Sequence, residues 1–186
     1  MPSTIADESP DGGQTSPESR IGRLSAWLSG HPLHIEAAVA AAAIGLTLVA
    51  TPFLSFGIFV ALEGETAILA IGVAFIAGSL LSVVGLAVTI VGHTYSDIRQ
   101  HGFPASAELD LNSVVYGGTR AVETVAAVGL LAGLVSVVLA SVIAGSVPNL
   151  IWAVVVATAV PLPPVVLAHA TVTFGRTILT PLLHGN

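Results

Sequence analysis

The chain has 186 residues, of which 54% are hydrophobic and only 9% charged, with a net charge of −6 and no cysteine. A soluble domain of this size carries about 25% charged residues, so most of this chain has no aqueous surface to cover. Absent cysteine excludes a disulfide framework, thiolate metal ligands and a thiol nucleophile. An acidic chain without clustered cations excludes nucleic acid as a partner.

Residues 1–18 hold Asp7, Glu8, Asp11 and Glu18 among Pro, Gly and Ser, with no base before Arg20. They read as a disordered acidic tail, and they lack the basic start and short apolar core of a cleavable leader. The stretch "SRIGRLSAWLSG" (19–30) then sets Ile21, Leu24, Trp27 and Leu28 at helical spacing. Residues 19–31 therefore predict a short amphipathic helix lying on the inner leaflet.

Four segments meet the length of a membrane-spanning helix, about 20 mostly apolar residues. They run over about 35–62, 66–91, 121–145 and 149–174. The connections at 63–65 (Glu63, Gly64, Glu65) and 146–148 (Ser146, Val147, Pro148) are tight. The predicted fold is thus an all-α integral membrane protein, with four spans forming a bundle as two antiparallel hairpins. A loop is expected over 92–120, where "HGFPAS" breaks any helix, and a tail over 175–186.

Every cationic side chain is an arginine, and the five lie at 20, 23, 99, 120 and 176. None falls in the two tight connections. This asymmetry places both termini and the middle loop in the cytoplasm and the chain in the cell membrane. Tyr95, Tyr116 and Trp152 then fall near the membrane interfaces. Absent lysine and cysteine, an acidic surface and heavy use of Ala, Val and Gly resemble proteins of salt-adapted archaea.

Small residues recur every three or four positions at Ala74, Gly78, Ser82, Gly85 and Thr89, and again at Ala126, Gly129, Gly133, Ser136 and Ala140. Such stripes let helix backbones approach closely in lipid. Packing within the bundle is the first reading, and a homodimer seam or contact with other membrane subunits is the alternative. The fourth span carries "VPLPP", with Pro161, Pro163 and Pro164 near mid-membrane. Each proline removes a backbone donor, so a kink or break is expected there. Freed carbonyls at that depth need partners or a cavity. Pro52 predicts a milder bend in the first span.

The ionisable groups of the spans follow a pattern. The first span opens on Glu36 and the third on Glu123; the second ends at His93 and the fourth holds His169 near its end. Each half reads Glu, up-helix, turn, down-helix, His, then Arg, a polar skeleton that a duplication would leave. The topology brings Glu36, Glu123, His93 and His169, with His34 and Arg120, toward the inner leaflet. Ionisable groups in a span are functional candidates by default. The plainer reading makes both glutamates first-turn acids favouring the helix dipole.

Three functions fit. The first is a structural or accessory component of a membrane complex. The second is a haem b anchor of a redox complex, with His93 and His169 as axial ligands. The third is a small proton-coupled transporter using Glu36 or Glu123. No ligand pair has the ExxH or HxxxH spacing of a metal site. No phosphate loop or GxSxG is present, and His93, Ser96 and Asp97 crowd one short segment that cannot arrange a triad. An enzyme is not expected.

Overall fold

The fold is known from a computed structural model, which describes residues 32–101 and 111–184, with the side chains of 32–100 and 116–175. The expected tail at 1–18, the expected interfacial helix at 19–31 and the middle of the expected loop lie outside the described residues. From Leu33 onward the chain forms one compact unit.

Among the described residues the fold is all-α and has no strand. In chain order the helices are α1 (Pro32–Ala61), α2 (Ala67–His101), α3 (Leu111–Ala144), α4 (Asn149–Ala159) and α5 (Leu162–His184). Among the described residues four stretches are long and apolar enough to cross a membrane: Pro32–Ala61, Ala67–Gln100, Tyr116–Ala144 and Asn149–Gly175, which joins α4 to the first part of α5. These are the marks of a multi-pass membrane protein.

Two glycines mark the tight connections. Gly64 follows the end of α1 at φ 96°, and Gly145 follows α3 at φ 64°. Both conformations are left-handed, which only glycine adopts at little cost, so each ends its helix cleanly. Pro52 lies inside α1 without ending it.

The last span breaks as its prolines require. After Ala159 the chain passes through Val160 and Pro161 before α5 begins at Leu162. Val160 N–H still donates to Val156, and the next bond across the break runs from Val165 N–H to the Pro161 carbonyl. Pro163 and Pro164 thus occupy the first turn of α5, where a missing N–H costs nothing. A cleft of about 320 Å³ opens beside this break, lined by Thr47, Ser79, Val160, Pro163 and Pro164 among others.

Elsewhere the helices run past their apolar limits. The loop expected over 92–120 is helical through His101 and again from Leu111, and α5 continues to His184 where a tail was expected from 175. A hydropathy window stops at the first polar residues, whereas a helix continues until a breaker; the first one after α2 is Gly102, with Pro104 close behind.

The buried centre draws on every helix: Ala40 and Ala43 from α1, Leu86 and Ile90 from α2, Ala127 and Leu130 from α3, Val155 from α4, and Leu162 and Val166 from α5. Lipid offers no hydrophobic drive for this, so close packing and polar contacts hold the helices. A methyl group on Gly57 would fall 2.7 Å from the Leu69 backbone, and one on Gly72 2.9 Å from Leu54. A methyl group on Gly133 would fall 2.8 Å from the Val155 side chain, and one on Gly129 3.0 Å from that of Thr158. Of the α2 stripe, Gly78 only reaches ordinary contact with Leu46, and Gly85 meets nothing. Polar contacts add to these: Thr47 and Ser79 lie 2.7 Å apart, and Ser79 donates to the Ala43 carbonyl. Thr124 donates to its own Arg120 carbonyl, so in the 3.0 Å contact between Thr94 and Thr124 it is Thr94 that donates.

Candidate functional site

A chain of five ionisable side chains crosses the bundle at one level. Glu36 comes from α1, His93 from α2, Arg120 and Glu123 from α3, and His169 from α5. Arg120 and Glu123 are three residues apart, which sets them on one helix face. Arg120 grips Glu36 with both ends of its fork, Nη2 donating to Oε1 at 2.8 Å and Nη1 to Oε2. The same Nη1 reaches Glu123 Oε2 at 3.2 Å. Each glutamate has a second partner: His93 Nδ1 lies 2.8 Å from Glu36 Oε1, and His169 Nδ1 2.8 Å from Glu123 Oε1.

Burial makes these contacts consequential. Both glutamates are fully buried, while the side chains of Arg120, His93 and His169 are 16%, 29% and 5% exposed. A guanidinium is always charged. Beside it the carboxylates act as acceptors, and each histidine then donates through Nδ1. All four carboxylate oxygens have a donor. A buried ion pair is tolerated only with such complete hydrogen bonding.

The structure joins Glu36 to His93 and Glu123 to His169, the acid and the histidine that share each half of the sequence. The plainer sequence reading gave the glutamates the wrong setting. Glu36 stands five residues into α1, and Glu123 lies twelve residues after the start of α3. Neither is in a first turn, because the helices begin earlier than the apolar pattern does, so the dipole reading is replaced by ion pairing. Pro161, Pro163 and Pro164 are not part of this network; they shape the break and its cleft.

The sequence brings Arg120 to the level of the two glutamates but assigns it no partner, although its three-residue spacing from Glu123 was the available signal. Tyr116 counted as an interfacial aromatic; its ring stands edge-on to His169, with centroids 5.0 Å apart. Beside them lies a cleft of about 250 Å³ between α3 and α5, lined by Tyr116, Thr119, Val165, Ala168, His169 and their neighbours. His93, which turns to a different glutamate, does not line it. Among the described residues no group of three or more Asp, Glu or His is arranged to hold a metal ion.

Comparison with family models, with curated proteins and with solved structures finds no match.

Proposed function

We propose that the chain is a structural or accessory component of a membrane complex, a four-span bundle locked near the inner leaflet by its Glu–His–Arg network. The observation that carries this reading is the closure of the network. One guanidinium and two imidazoles supply a donor to every oxygen of two fully buried carboxylates. The groups that an exchanger would cycle are clamped to each other, and they tie α1, α2, α3 and α5 together. A carrier carboxylate needs to give up its partner at each turnover; a lock does not.

The spans pair as two antiparallel hairpins in this reading. Its support is the sequence of contacts between α1 and α2, where Glu36 meets His93, Thr47 meets Ser79 and Gly57 meets Leu69. Both termini lie in the cytoplasm, supported by the five arginines and the bare tight connections. Partner subunits would pack on apolar faces such as that of Leu48, Phe56 and Phe59, all well exposed on α1.

The test is the size of the particle released from native membranes by a mild detergent. Migration well above that of the purified 18.7 kDa chain in the same micelle is the expected result. A lone chain in native membranes would sink the accessory reading. In proteoliposomes carrying a pH dye, proton flux abolished by both Glu36→Gln and Glu123→Gln would replace it with the transporter.

A further inference from the structure

The formal charges of the network do not cancel. Glu36 and Glu123 bring two negative charges, and Arg120 brings one positive charge. Among the described residues no other arginine meets either carboxylate, and Arg99 is exposed on α2. With both histidines neutral, one excess negative charge would stand on two carboxylates that are fully buried. An uncompensated buried charge is strongly unfavourable, and uptake of a proton is the usual way out of it.

The hydrogen bonds restrict where that proton can sit. Every carboxylate oxygen already faces an N–H, so none has room for a hydrogen of its own. Nδ1 of each ring donates, which leaves the two Nε2 atoms as the open positions. They differ in their surroundings. His169 Nε2 is buried and has no hydrogen-bond partner. An N–H of an imidazolium there would be a charged donor without an acceptor, a heavier penalty than an unpaired lone pair. His93 is 29% exposed, and its Nε2 is not sealed in this way.

We propose that the folded network binds one proton, at His93 Nε2, and that this proton closes the lock. The charges then alternate from end to end: imidazolium, carboxylate, guanidinium, carboxylate, with His169 as a neutral ring at the far end. This rests on the network acting as a lock, and it makes that lock sensitive to pH. When the proton leaves at high pH, the excess charge returns to the core and Glu36 loses its ion pair with α2. No other titratable group intervenes. On α1 His34 stacks against Phe174 of α5, with centroids 4.3 Å apart. On α2 Tyr95, Asp97 and Arg99 are exposed. On α3 Tyr116 stands against His169, and α4 has no titratable residue.

The test uses the full chain in detergent micelles. Labelling with ¹⁵N-histidine reads the charge directly, because the two nitrogens of an imidazolium resonate apart from those of a neutral ring; the His93 signals are assigned by their loss in His93→Gln. At about pH 8 a histidine in water, with a pKa of about 6.5, has given up its proton. At that pH His93 should still carry two ring hydrogens and His169 only one. Reversible unfolding by SDS gives the second readout. A folded chain that holds one proton more than the unfolded chain is destabilised as pH rises, its unfolding constant growing about tenfold per pH unit. That growth ends once the folded network has itself lost the proton. Glu36→Gln and Glu123→Gln each remove the excess charge, so each should leave His93 neutral at pH 8 and abolish the growth. A neutral His93 in the parent at pH 8 would overturn the proposal, and this readout needs no variant to be stable beyond the one used for assignment. An imidazolium or a pH response that survives in both glutamine variants would overturn it too. Particle size in native membranes plays no part here, so a failed pH response leaves the accessory reading standing.

Discussion

Arg120→Met is the perturbation that most directly weighs the network. Methionine keeps an unbranched apolar stem and removes only the charge and the donors. The loss can be sized in two ways. Counted as ordinary polar contacts between membrane helices, at an average of about 0.6 kcal/mol each, the three hydrogen bonds of Arg120 amount to about 2 kcal/mol. Counted as the removal of one partner from buried ion pairs, the cost is about 3–5 kcal/mol. The second count applies here because both carboxylates are fully buried and neither can turn to water. The assay is reversible unfolding in mixed micelles as the mole fraction of SDS rises, followed by far-UV circular dichroism at neutral pH. A control separates charge from packing: adding Glu36→Gln and Glu123→Gln to Arg120→Met removes the stranded charges while keeping acceptors for both histidines. That triple variant should return to within about 1 kcal/mol of the parent, since neutral replacements for buried ion pairs are often harmless. A single variant costing under about 1 kcal/mol, or a triple variant no better than the single, would refute the reasoning.

Three further outcomes are expected. Gly57→Ala should cost about 1–3 kcal/mol in the same assay, since its new methyl meets backbone atoms of Leu69 that cannot swing aside. Gly85→Ala, which meets nothing, should be neutral or stabilising by up to about 1 kcal/mol through helix propensity; equal costs would show that this packing is wrong. In the cysteine-free background, Ser146→Cys should react with an impermeant maleimide from outside and Ser96→Cys only from inside, and labelling of Ser96→Cys from outside would reverse the topology. The purified protein, from cells supplied with haem, should be colourless when oxidised and when dithionite-reduced. A Soret band lost in both His93→Ala and His169→Ala would instead make it a haem b anchor.

The parts of the fold that were legible in the sequence are those that depend on a local property. Four spans follow from apolar length, and the break at Pro161 follows from a missing donor and a steric clash. Helix ends near water were not legible, because hydropathy falls at Gly92 and His93 while the backbone has no reason to stop before Gly102. Helix faces were only half legible. The stripe holding Gly129 and Gly133 marked a close approach, yet the stripe holding Gly78 and Gly85 did not, and the tightest approach, at Gly57, belongs to no stripe. Spacing states which residues share a face; it does not state which face meets a neighbour. The common level of Glu36, Glu123, His93, His169 and Arg120 was legible because topology alone sets it. Which of them hydrogen-bond was not, since spacing along one chain does not say which side chains face each other across the bundle. The cleft at His169 depends on how α3 and α5 meet, which no single segment encodes.

The network also puts the internal likeness of the two halves to a physical test. Each half contributes one Glu–His pair at 2.8 Å, but the halves share one arginine. Arg120 lies three residues before Glu123, and the position three before Glu36 is Leu33, a partly buried residue of the first turn of α1. Arg120 nevertheless makes two of its three hydrogen bonds to Glu36, the carboxylate of the other half. The first half therefore borrows the cation that its own sequence lacks. If the halves are physically interchangeable, an arginine at Leu33 has the same three-residue reach to Glu36 that Arg120 has to Glu123. Leu33→Arg should then restore to the Arg120→Met variant at least about half of its expected loss of 3–5 kcal/mol in the SDS-unfolding assay. It should do far less for the parent, where Glu36 already has both oxygens engaged. A double variant as unstable as Arg120→Met alone would mean that the two glutamates occupy different settings, and that the likeness of the halves ends at the spacing of their polar residues.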